Sequence, residues 1–298
     1  MSKFKKSVFK GAATALITPF RDGKIDFGSL SSMIERQINA GIDALVIAGT
    51  TGENCTLSDV EHHELLTRAI EYIDGRVPAI AGTGSNDTAH AVEMSRYACS
   101  LGYDALLVVT PYYNKATPQG LIKSYLTVAD ASDAPIILYN VPSRTGCNIT
   151  LPVYRELASC ERIVAVKEAS GSISAVAQLI DECGEYFDVY SGNDDQTLPL
   201  LSLGGAGVIS VASNIIPREM VELCRLWFEG KWEQSRQIQM KYLSLMNTMF
   251  CEVNPIPVKA AAAMMGLCTG ELRLPLCPAS EENKQKLARA LKEAGVIK

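Results

Sequence analysis

The chain has 298 residues, of which 47% are apolar and 20% are charged, and its formal net charge at pH 7 is −5. This length suits two ordinary domains or one large α/β barrel, and the apolar fraction is enough to build a large core. Because the acidic balance provides no basic face, we do not expect nucleic acid as a partner. No apolar run approaches the roughly 18 residues that a membrane-spanning helix needs, so we expect no membrane partner either.

The nine cysteines are scattered along the chain and form no CxxC pair. Their odd number and apolar surroundings favour buried free thiols in a reducing cytoplasm, where we expect the protein to reside. Structural zinc is not expected, because none of the three histidines lies at ligand spacing from a cysteine. The lysines between Lys3 and Lys10 resemble the start of a signal peptide, but the short segment from Gly11 to Ile17 is interpreted as a first strand.

Short apolar runs recur along the chain, each followed by a stretch that is typical of an amphipathic helix. Between residues 26 and 40 the apolar positions recur at helical spacing. Ser58 and Glu61 form a capping-box pattern that predicts the start of the next helix, and Asp87 is predicted to cap the helix after it. The eight runs predicted as strands are residues 13–17, 44–48, 78–81, 105–109, 135–139, 163–167, 188–191 and 207–211.

This alternation predicts a parallel α/β fold, for which an open doubly wound sheet and a closed barrel are the two candidates. Eight β-α units favour the barrel, and so does the absence of a GxGxxG turn after the first strand. The fragment Gly82-Thr83-Gly84 lacks the third glycine of a dinucleotide site. We therefore predict a (β/α)8 TIM barrel over residues 1–230 and a C-terminal region of three helices over residues 231–298. These helices are predicted at residues 231–250, 256–265 and 281–294.

In a parallel barrel the functional groups gather at the carboxyl ends of the strands. Lys167 ends one apolar run, and strand alternation predicts that Ile163, Ala165 and Lys167 share a face. If this face points into the barrel, burial lowers the pKa of the amine and supplies a neutral nucleophile for a carbonyl group. A lysine that extends to water or pairs with Glu168 fits the same pattern, and this alternative stays open.

Hydroxyl groups and one guanidinium follow other predicted strands. Thr50 and Thr51 lie between two glycines, where they can hold a carboxylate or simply cap a turn. Tyr113 and Tyr139 can transfer protons or pack in the core. Arg144 can bind a substrate carboxylate through two parallel N–H groups or remain in solvent.

Acidic side chains at the strand ends raise the alternative of a metal site. Their carboxylates could form an oxygen-rich pocket, but their spacing matches no known ligand pattern. We therefore predict no metal. The residues considered for this pocket are Glu53, Glu168, Asp194 and Asp195.

Together these motifs resemble the dihydrodipicolinate synthase / N-acetylneuraminate lyase family over nearly the full length of the chain. The similarity runs from GAATALITPF at residues 11–20 to NPIPVK at residues 254–259 and LRLP at residues 272–275. The resemblance implies a (β/α)8 barrel with a C-terminal helical region, assembled as a homotetramer from two dimers. It also implies a lyase that captures pyruvate as a lysine Schiff base and needs no metal or organic cofactor.

The resemblance implies specific roles for seven residues. Lys167 matches the Schiff-base lysine, and Tyr139 matches the tyrosine that donates and accepts protons. Thr50, Tyr139 and Tyr113 match a proton relay whose last tyrosine comes from a neighbouring subunit. The residues that match substrate contacts are Thr51 for the pyruvate carboxylate, Ile209 for pyruvate through its backbone, and Arg144 for the carboxylate of the aldehyde.

Two motifs favour one branch of this family. Arg144 in the Val-Pro-Ser-Arg-Thr-Gly setting and the Pro-Tyr-Tyr-Asn strand end resemble the branch that condenses pyruvate with L-aspartate-4-semialdehyde, on the route to diaminopimelate and lysine. One alternative is another class I aldolase of the family, acting on a 2-keto-3-deoxy sugar acid or on sialic acid. A second alternative is a non-catalytic barrel that binds small acids. Such a barrel would not need a proton relay.

Members of the family that lysine inhibits bind it at a subunit interface. His90 stands where lysine-sensitive enzymes usually carry a glutamate that pairs with the amine of the effector. Because an imidazole removes this charge pairing, we predict weak lysine inhibition or none. The other residues that match this effector site are Asn86, Tyr112, His62 and Cys55.

Overall fold

The structure is a computed structural model that describes residues 7–298, so Lys3, Lys5 and Lys6 of the basic N-terminus lie outside the described residues. The strands are β1 Gly11–Ala15, β2 Phe20–Arg21, β3 Lys24–Ile25, β4 Ala44–Ile47, β5 Ala79–Gly82, β6 Ala105–Val109, β7 Ile136–Asn140, β8 Ile163–Glu168, β9 Asp188–Ser191 and β10 Gly207–Ser210. The α-helices are α1 Phe27–Asn39, α2 Asp59–Ile73, α3 Thr88–Ser100, α4 Pro118–Asp130, α5 Pro142–Thr145, α6 Leu151–Leu157, α7 Ile173–Cys183, α8 Thr197–Ser202, α9 Pro217–Phe228, α10 Trp232–Thr248, α11 Ile256–Met264 and α12 Glu281–Glu293.

Eight strands form a closed barrel in the order β1-β10-β9-β8-β7-β6-β5-β4, and β2 and β3 form a separate antiparallel pair. The predicted (β/α)8 barrel is confirmed, and the alternative prediction of an open doubly wound sheet is wrong. All eight predicted strands are present, with ends within two residues of the predicted ends. Every residue of β1, β4, β5, β7, β8 and β10 is buried, as expected for parallel strands that are covered on both faces.

The predicted helix starts are capped as their sequences indicate. The Asp26 carboxylate accepts a hydrogen bond from the backbone N–H of Ser29 at the start of α1. Ser58 and Glu61 form a complete capping box at the start of α2, and Asp87 caps α3. These side chains satisfy N–H groups that have no partner within the helix.

Strand β1 ends two residues earlier than the prediction because a side chain takes over its hydrogen bonds. The backbone N–H of Ile17 donates to Asn214 Oδ1 at 3.1 Å, and Asn214 Nδ2 donates to the Ala15 carbonyl at 2.9 Å. The amide of Asn214 thus replaces a neighbouring strand at this point. No apolar pattern signals such a replacement.

The chain divides into two compact units. One comprises residues 7–10 and Pro78–Ile209, and the other comprises Gly11–Val77 and Ser210–Lys298. The three predicted C-terminal helices are confirmed as α10, α11 and α12, with ends within two residues of the predicted ends. The predicted domain boundary at residue 230, which separates regions by element type, stays a prediction.

All nine cysteines are free, but their burial differs from the prediction. Cys147, Cys183 and Cys224 are buried, whereas Cys55 and Cys277 are exposed and the other four are half-buried. An apolar neighbourhood in sequence therefore did not ensure burial in the fold.

Within residues 7–298, no helix is both long and apolar enough to cross a membrane.

Candidate active site

Lys167 lies near the carboxyl end of β8, and only 4% of its surface is exposed. It pairs in register with Tyr139 of β7, and its Nζ lies 4.3 Å from the centre of the Tyr139 ring. Burial lowers the pKa of Lys167 to about 7, while Asp194 acts to raise it and Arg144 acts to lower it further. A large fraction of this amine is therefore neutral and nucleophilic near pH 7.

The strand that carries Lys167 departs from strict alternation at its start. Consecutive residues of β7 pair with Ile163 and Ala165 of β8, so the register slips by one residue between them. The prediction that Ile163 shares the face of Lys167 is therefore wrong, because a bulge changes which face a residue occupies. From Ala165 onward the alternation holds, and Ala165 and Lys167 share a face.

Glu168, the residue after Lys167, is engaged by other partners. Its carboxylate accepts hydrogen bonds from Asn140 Nδ2 at 2.9 Å, from the Tyr154 hydroxyl at 3.2 Å and from the Ser170 backbone N–H at 2.7 Å. Burial, and then the charge of Glu168, raises the pKa of Tyr154 well above its usual value. The alternative in which Lys167 extends to water is wrong, since the side chain is buried.

Gly192 leaves the space that the Lys167 side chain occupies. A Cβ atom at position 192 would lie 3.2 Å from Lys167 Cε and 2.6 Å from Ala169 Cβ, too close for carbon atoms in a packed interior. The Gly192 backbone N–H donates to the Glu168 carbonyl at 2.8 Å, which holds the glycine beside β8. This role was not predicted from the sequence, where the only indication is a glycine directly after β9.

Tyr113 lies in the loop after β6 and is 90% exposed. Its φ of +72° is uncommon for a bulky residue. Its backbone N–H donates to the carbonyl of Thr145, whose hydroxyl is bonded to Thr110 at 3.0 Å. The tyrosine side chain is therefore presented outward from its own chain. Arg144, in the short helix α5, is also exposed.

Thr50, Thr51 and Gly52 form a 3₁₀ turn directly after β4. Thr51 is buried, and its hydroxyl oxygen accepts a hydrogen bond from Asn254 Nδ2 at 2.9 Å. The Gly52 carbonyl accepts a bond from the Thr18 hydroxyl at 2.7 Å. Both threonines therefore belong to a turn that side chains from distant parts of the sequence hold in place.

Glu53 ends this turn in the left-handed conformation, with φ +55° and ψ +35°. Its Oε1 accepts from Lys259 Nζ at 2.6 Å, with both side chains buried, and its Oε2 accepts from the Arg273 backbone N–H at 3.2 Å. The Arg273 guanidinium holds the pKa of Glu61 at about 2. Asn254, Lys259 and Arg273 carry the family resemblance, and nothing in their local sequence predicts this anchoring role.

The acidic residues considered as a metal pocket are not gathered into one. Glu53 is paired with Lys259, and Glu168 is engaged as described above. Among residues 7–298, no three His, Cys, Asp or Glu side chains form a group that could hold a metal ion.

The remaining predicted residues take up varied positions. Ile209 is fully buried in β10. His62 is buried in α2, and His90 is half-buried in the first turn of α3. The backbone carbonyl of Asn86 accepts from Asn114 Nδ2 at 2.9 Å. Tyr112 is half-buried and Cys55 is exposed, so the effector site stays a prediction.

Comparisons with known proteins place the chain in a family. The model of the dihydrodipicolinate synthetase family matches residues 8–294. The chain is 49% identical over 290 residues to a 4-hydroxy-tetrahydrodipicolinate synthase of Geotalea uraniireducens, which covers 97% of this chain and 100% of the relative.

Two solved structures are also similar over nearly their whole length. The chloride-inhibited dihydrodipicolinate synthase of Acinetobacter baumannii complexed with pyruvate is 42% identical, with a TM-score of 0.94 and coverage of 97% and 99%. The enzyme of Cyanidioschyzon merolae with lysine bound is 39% identical, with a TM-score of 0.94 and coverage of 98% and 100%. The chain therefore belongs to the dihydrodipicolinate synthetase family.

Proposed function

We propose that this chain is a 4-hydroxy-tetrahydrodipicolinate synthase, which condenses pyruvate with L-aspartate-4-semialdehyde in the pathway to diaminopimelate and lysine. The observation that carries the proposal is the buried amine of Lys167, whose pKa is lowered to about 7, at the carboxyl end of a barrel strand. The Acinetobacter baumannii relative, complexed with pyruvate, supports pyruvate as the first substrate.

Lys167 forms and releases the covalent intermediate. Its neutral Nζ attacks the ketone carbon of pyruvate, and loss of water gives a protonated imine. This imine accepts electrons, so a proton leaves the methyl group and an enamine forms. The enamine carbon attacks the aldehyde carbon of the second substrate. The amine of that substrate then attacks the imine carbon, which closes the ring and releases Lys167.

Tyr139 moves protons in this cycle. The centre of its ring lies 4.3 Å from Lys167 Nζ, so Tyr139 lies beside the nitrogen on which the imine forms. Thr50 and a Tyr113 supplied by a neighbouring subunit complete the relay. The 90% exposure of Tyr113 supports this role, because its side chain is free to enter a partner. The cycle needs no metal or organic cofactor, since the imine itself is the electron sink.

Three further residues hold the substrates. Thr51 binds the pyruvate carboxylate through its hydroxyl, and Ile209 contacts pyruvate through its backbone. Arg144 binds the carboxylate of the aldehyde, for which its planar guanidinium offers two parallel donors. Its exposed position on α5 leaves this group accessible to a substrate.

The enzyme acts as a homotetramer of two dimers in the cytoplasm. The dimer is needed for Tyr113, and nine free thiols suit a reducing compartment.

The Cyanidioschyzon merolae relative has lysine bound, but His90 of this chain lacks the carboxylate that would pair with the amine of a bound lysine. Weak lysine inhibition or none is therefore expected, and strong micromolar inhibition of initial rates in a lysine titration would contradict this.

The test of the function compares aldehydes at saturating pyruvate. We expect rapid condensation with L-aspartate-4-semialdehyde and slow or no reaction with sugar aldehydes. Arg144→Leu should raise the KM for L-aspartate-4-semialdehyde by about tenfold to a hundredfold, because a charge-assisted pair is lost. Arg155→Leu, which removes an exposed arginine paired with Glu182, is the matched control. Faster turnover of a sugar aldehyde would indicate a sugar acid or sialic acid lyase.

A further inference from the structure

Beside the Thr51 hydroxyl lies a buried amide that the proposed cycle does not use. Asn254 is 5% exposed, and its Nδ2 donates to Thr51 Oγ1 at 2.9 Å. A hydroxyl group has one proton and two lone pairs. Because the amide N–H occupies a lone pair, the Thr51 proton points to a different acceptor and stays available for it.

The chain holds this amide in place through a second contact with the same turn. Asn254 lies two residues before α11, and Lys259 in this helix pairs with Glu53 at 2.6 Å. Glu53 follows Thr51 by two residues. Two contacts, one of them a buried ion pair, therefore join the same two segments. Such a network restricts the amide and the hydroxyl to one relative arrangement.

We propose that Asn254 is a positioning residue for pyruvate, because it directs the Thr51 hydroxyl proton toward the substrate carboxylate. This inference rests on the proposed function, in which Thr51 binds that carboxylate. An aspartate at position 254 has nearly the same shape but no N–H donor. Its carboxylate would accept the Thr51 proton and would add a negative charge near the substrate.

The test measures steady-state kinetics of Asn254→Asp. We expect the KM for pyruvate to rise by about tenfold to a hundredfold, because a hydrogen bond to a charged group is lost. The kcat at saturating pyruvate and the KM for L-aspartate-4-semialdehyde should change by less than about twofold, because Thr51 does not contact the aldehyde. Asn254→Leu, which has no charge, should raise the KM for pyruvate less, and it keeps the test decisive if the aspartate variant does not fold.

A matched control separates positioning from general stability. Ser235→Ala removes another buried hydrogen bond, from the Ser235 hydroxyl to the Leu223 carbonyl at 2.7 Å, in the same unit but away from the turn. This variant should lose stability and keep the wild-type KM for pyruvate. A rise in its KM equal to that of the Asn254 variants would overturn the proposal.

A double-mutant cycle tests whether Asn254 acts through Thr51. In a Thr51→Val background, Asn254→Leu, which adds no charge, should change the KM for pyruvate by less than about twofold, because the hydroxyl to be directed is absent. An equal rise with and without the hydroxyl, or no rise in either Asn254 variant, would also overturn the inference. Failure of the proposed function is a different result: the wild-type enzyme would then give no borohydride-trapped adduct with pyruvate.

Discussion

Two of the lysines within residues 7–298 are buried, and their surroundings assign them different chemistry. Lys167 is 4% exposed and Lys259 is fully buried, and each Nζ lies about 4 Å from an aromatic ring, that of Tyr139 and Phe20 respectively. Burial lowers the pKa of both amines. They differ in the carboxylate beside them, because Glu53 lies 2.6 Å from Lys259 and is bonded to it.

The comparison shows that burial alone does not make a lysine nucleophilic. Beside Lys259, Glu53 opposes the effect of burial and favours the charged form, which joins the turn after β4 to the C-terminal helices. Burial has the largest effect on the pKa of both amines, and at Lys167, where the charge of Asp194 opposes it, the pKa falls to about 7. We therefore interpret Lys259 as the structural lysine and Lys167 as the reactive one.

The largest effect is expected from removing the reactive amine. Lys167→Met keeps the length and apolar stem of the side chain but cannot form an imine. We expect kcat to fall by roughly a thousandfold or more, because the covalent route is lost. Initial rates of condensation would measure this, with circular dichroism to verify folding. A Lys167→Met enzyme with activity near wild type would contradict the assignment.

Removing the structural amine should instead destabilise the fold. Lys259→Met leaves Glu53 buried without its cation, so the free energy of unfolding should fall by about 3–5 kcal/mol. The double variant Lys259→Met with Glu53→Gln should lose less, since no uncompensated charge remains. Urea denaturation of the single and double variants measures both values. Equal losses would show that the ion pair is not the relevant contact.

The lowered pKa of Lys167 should make both the activity and the stability of the enzyme depend on pH. Protonated Lys167 cannot attack a ketone, so kcat/KM for pyruvate should fall about tenfold per pH unit below pH 7. The pKa of Lys167 is about 7 in the fold, below its ordinary value of 10.5, so the unfolded chain binds more protons between these values. Stability contributed by this group therefore rises with pH across that window. Lys167→Met should remove this slope, and an unchanged slope would contradict the lowered pKa.

Much of the fold followed from local patterns in the sequence. Apolar runs and capping residues such as Ser58 and Asp87 predicted the barrel strands and the helix starts, because burial and capping depend on neighbours in sequence. The early end of β1 was not predictable, because Asn214 makes its contact from 199 positions away. The same holds for the slip in register at Ile163, which depends on how β7 meets β8.

The candidate site also contains residues that local sequence patterns indicate and residues that depend on contacts with distant parts of the chain. The strand pattern made Lys167 a candidate but fitted a lysine that extends to water equally well, and its burial in the fold decides against that alternative. Asn254, Lys259 and Arg273 reach the turn after β4 across more than 200 positions, and no periodicity connects the two ends. Gly192 acts through the space it leaves, which a sequence pattern does not describe.

Borohydride reduction in the presence of pyruvate tests the difference between the two lysines most directly. The reductant fixes an imine as a stable amine, and peptide mass spectrometry then locates the modified residue. We expect a single pyruvate adduct on Lys167 in the wild-type chain and in folded Lys259→Met, and no adduct in Lys167→Met. An adduct on Lys259, or none on Lys167, would contradict the proposal that Lys167 captures pyruvate.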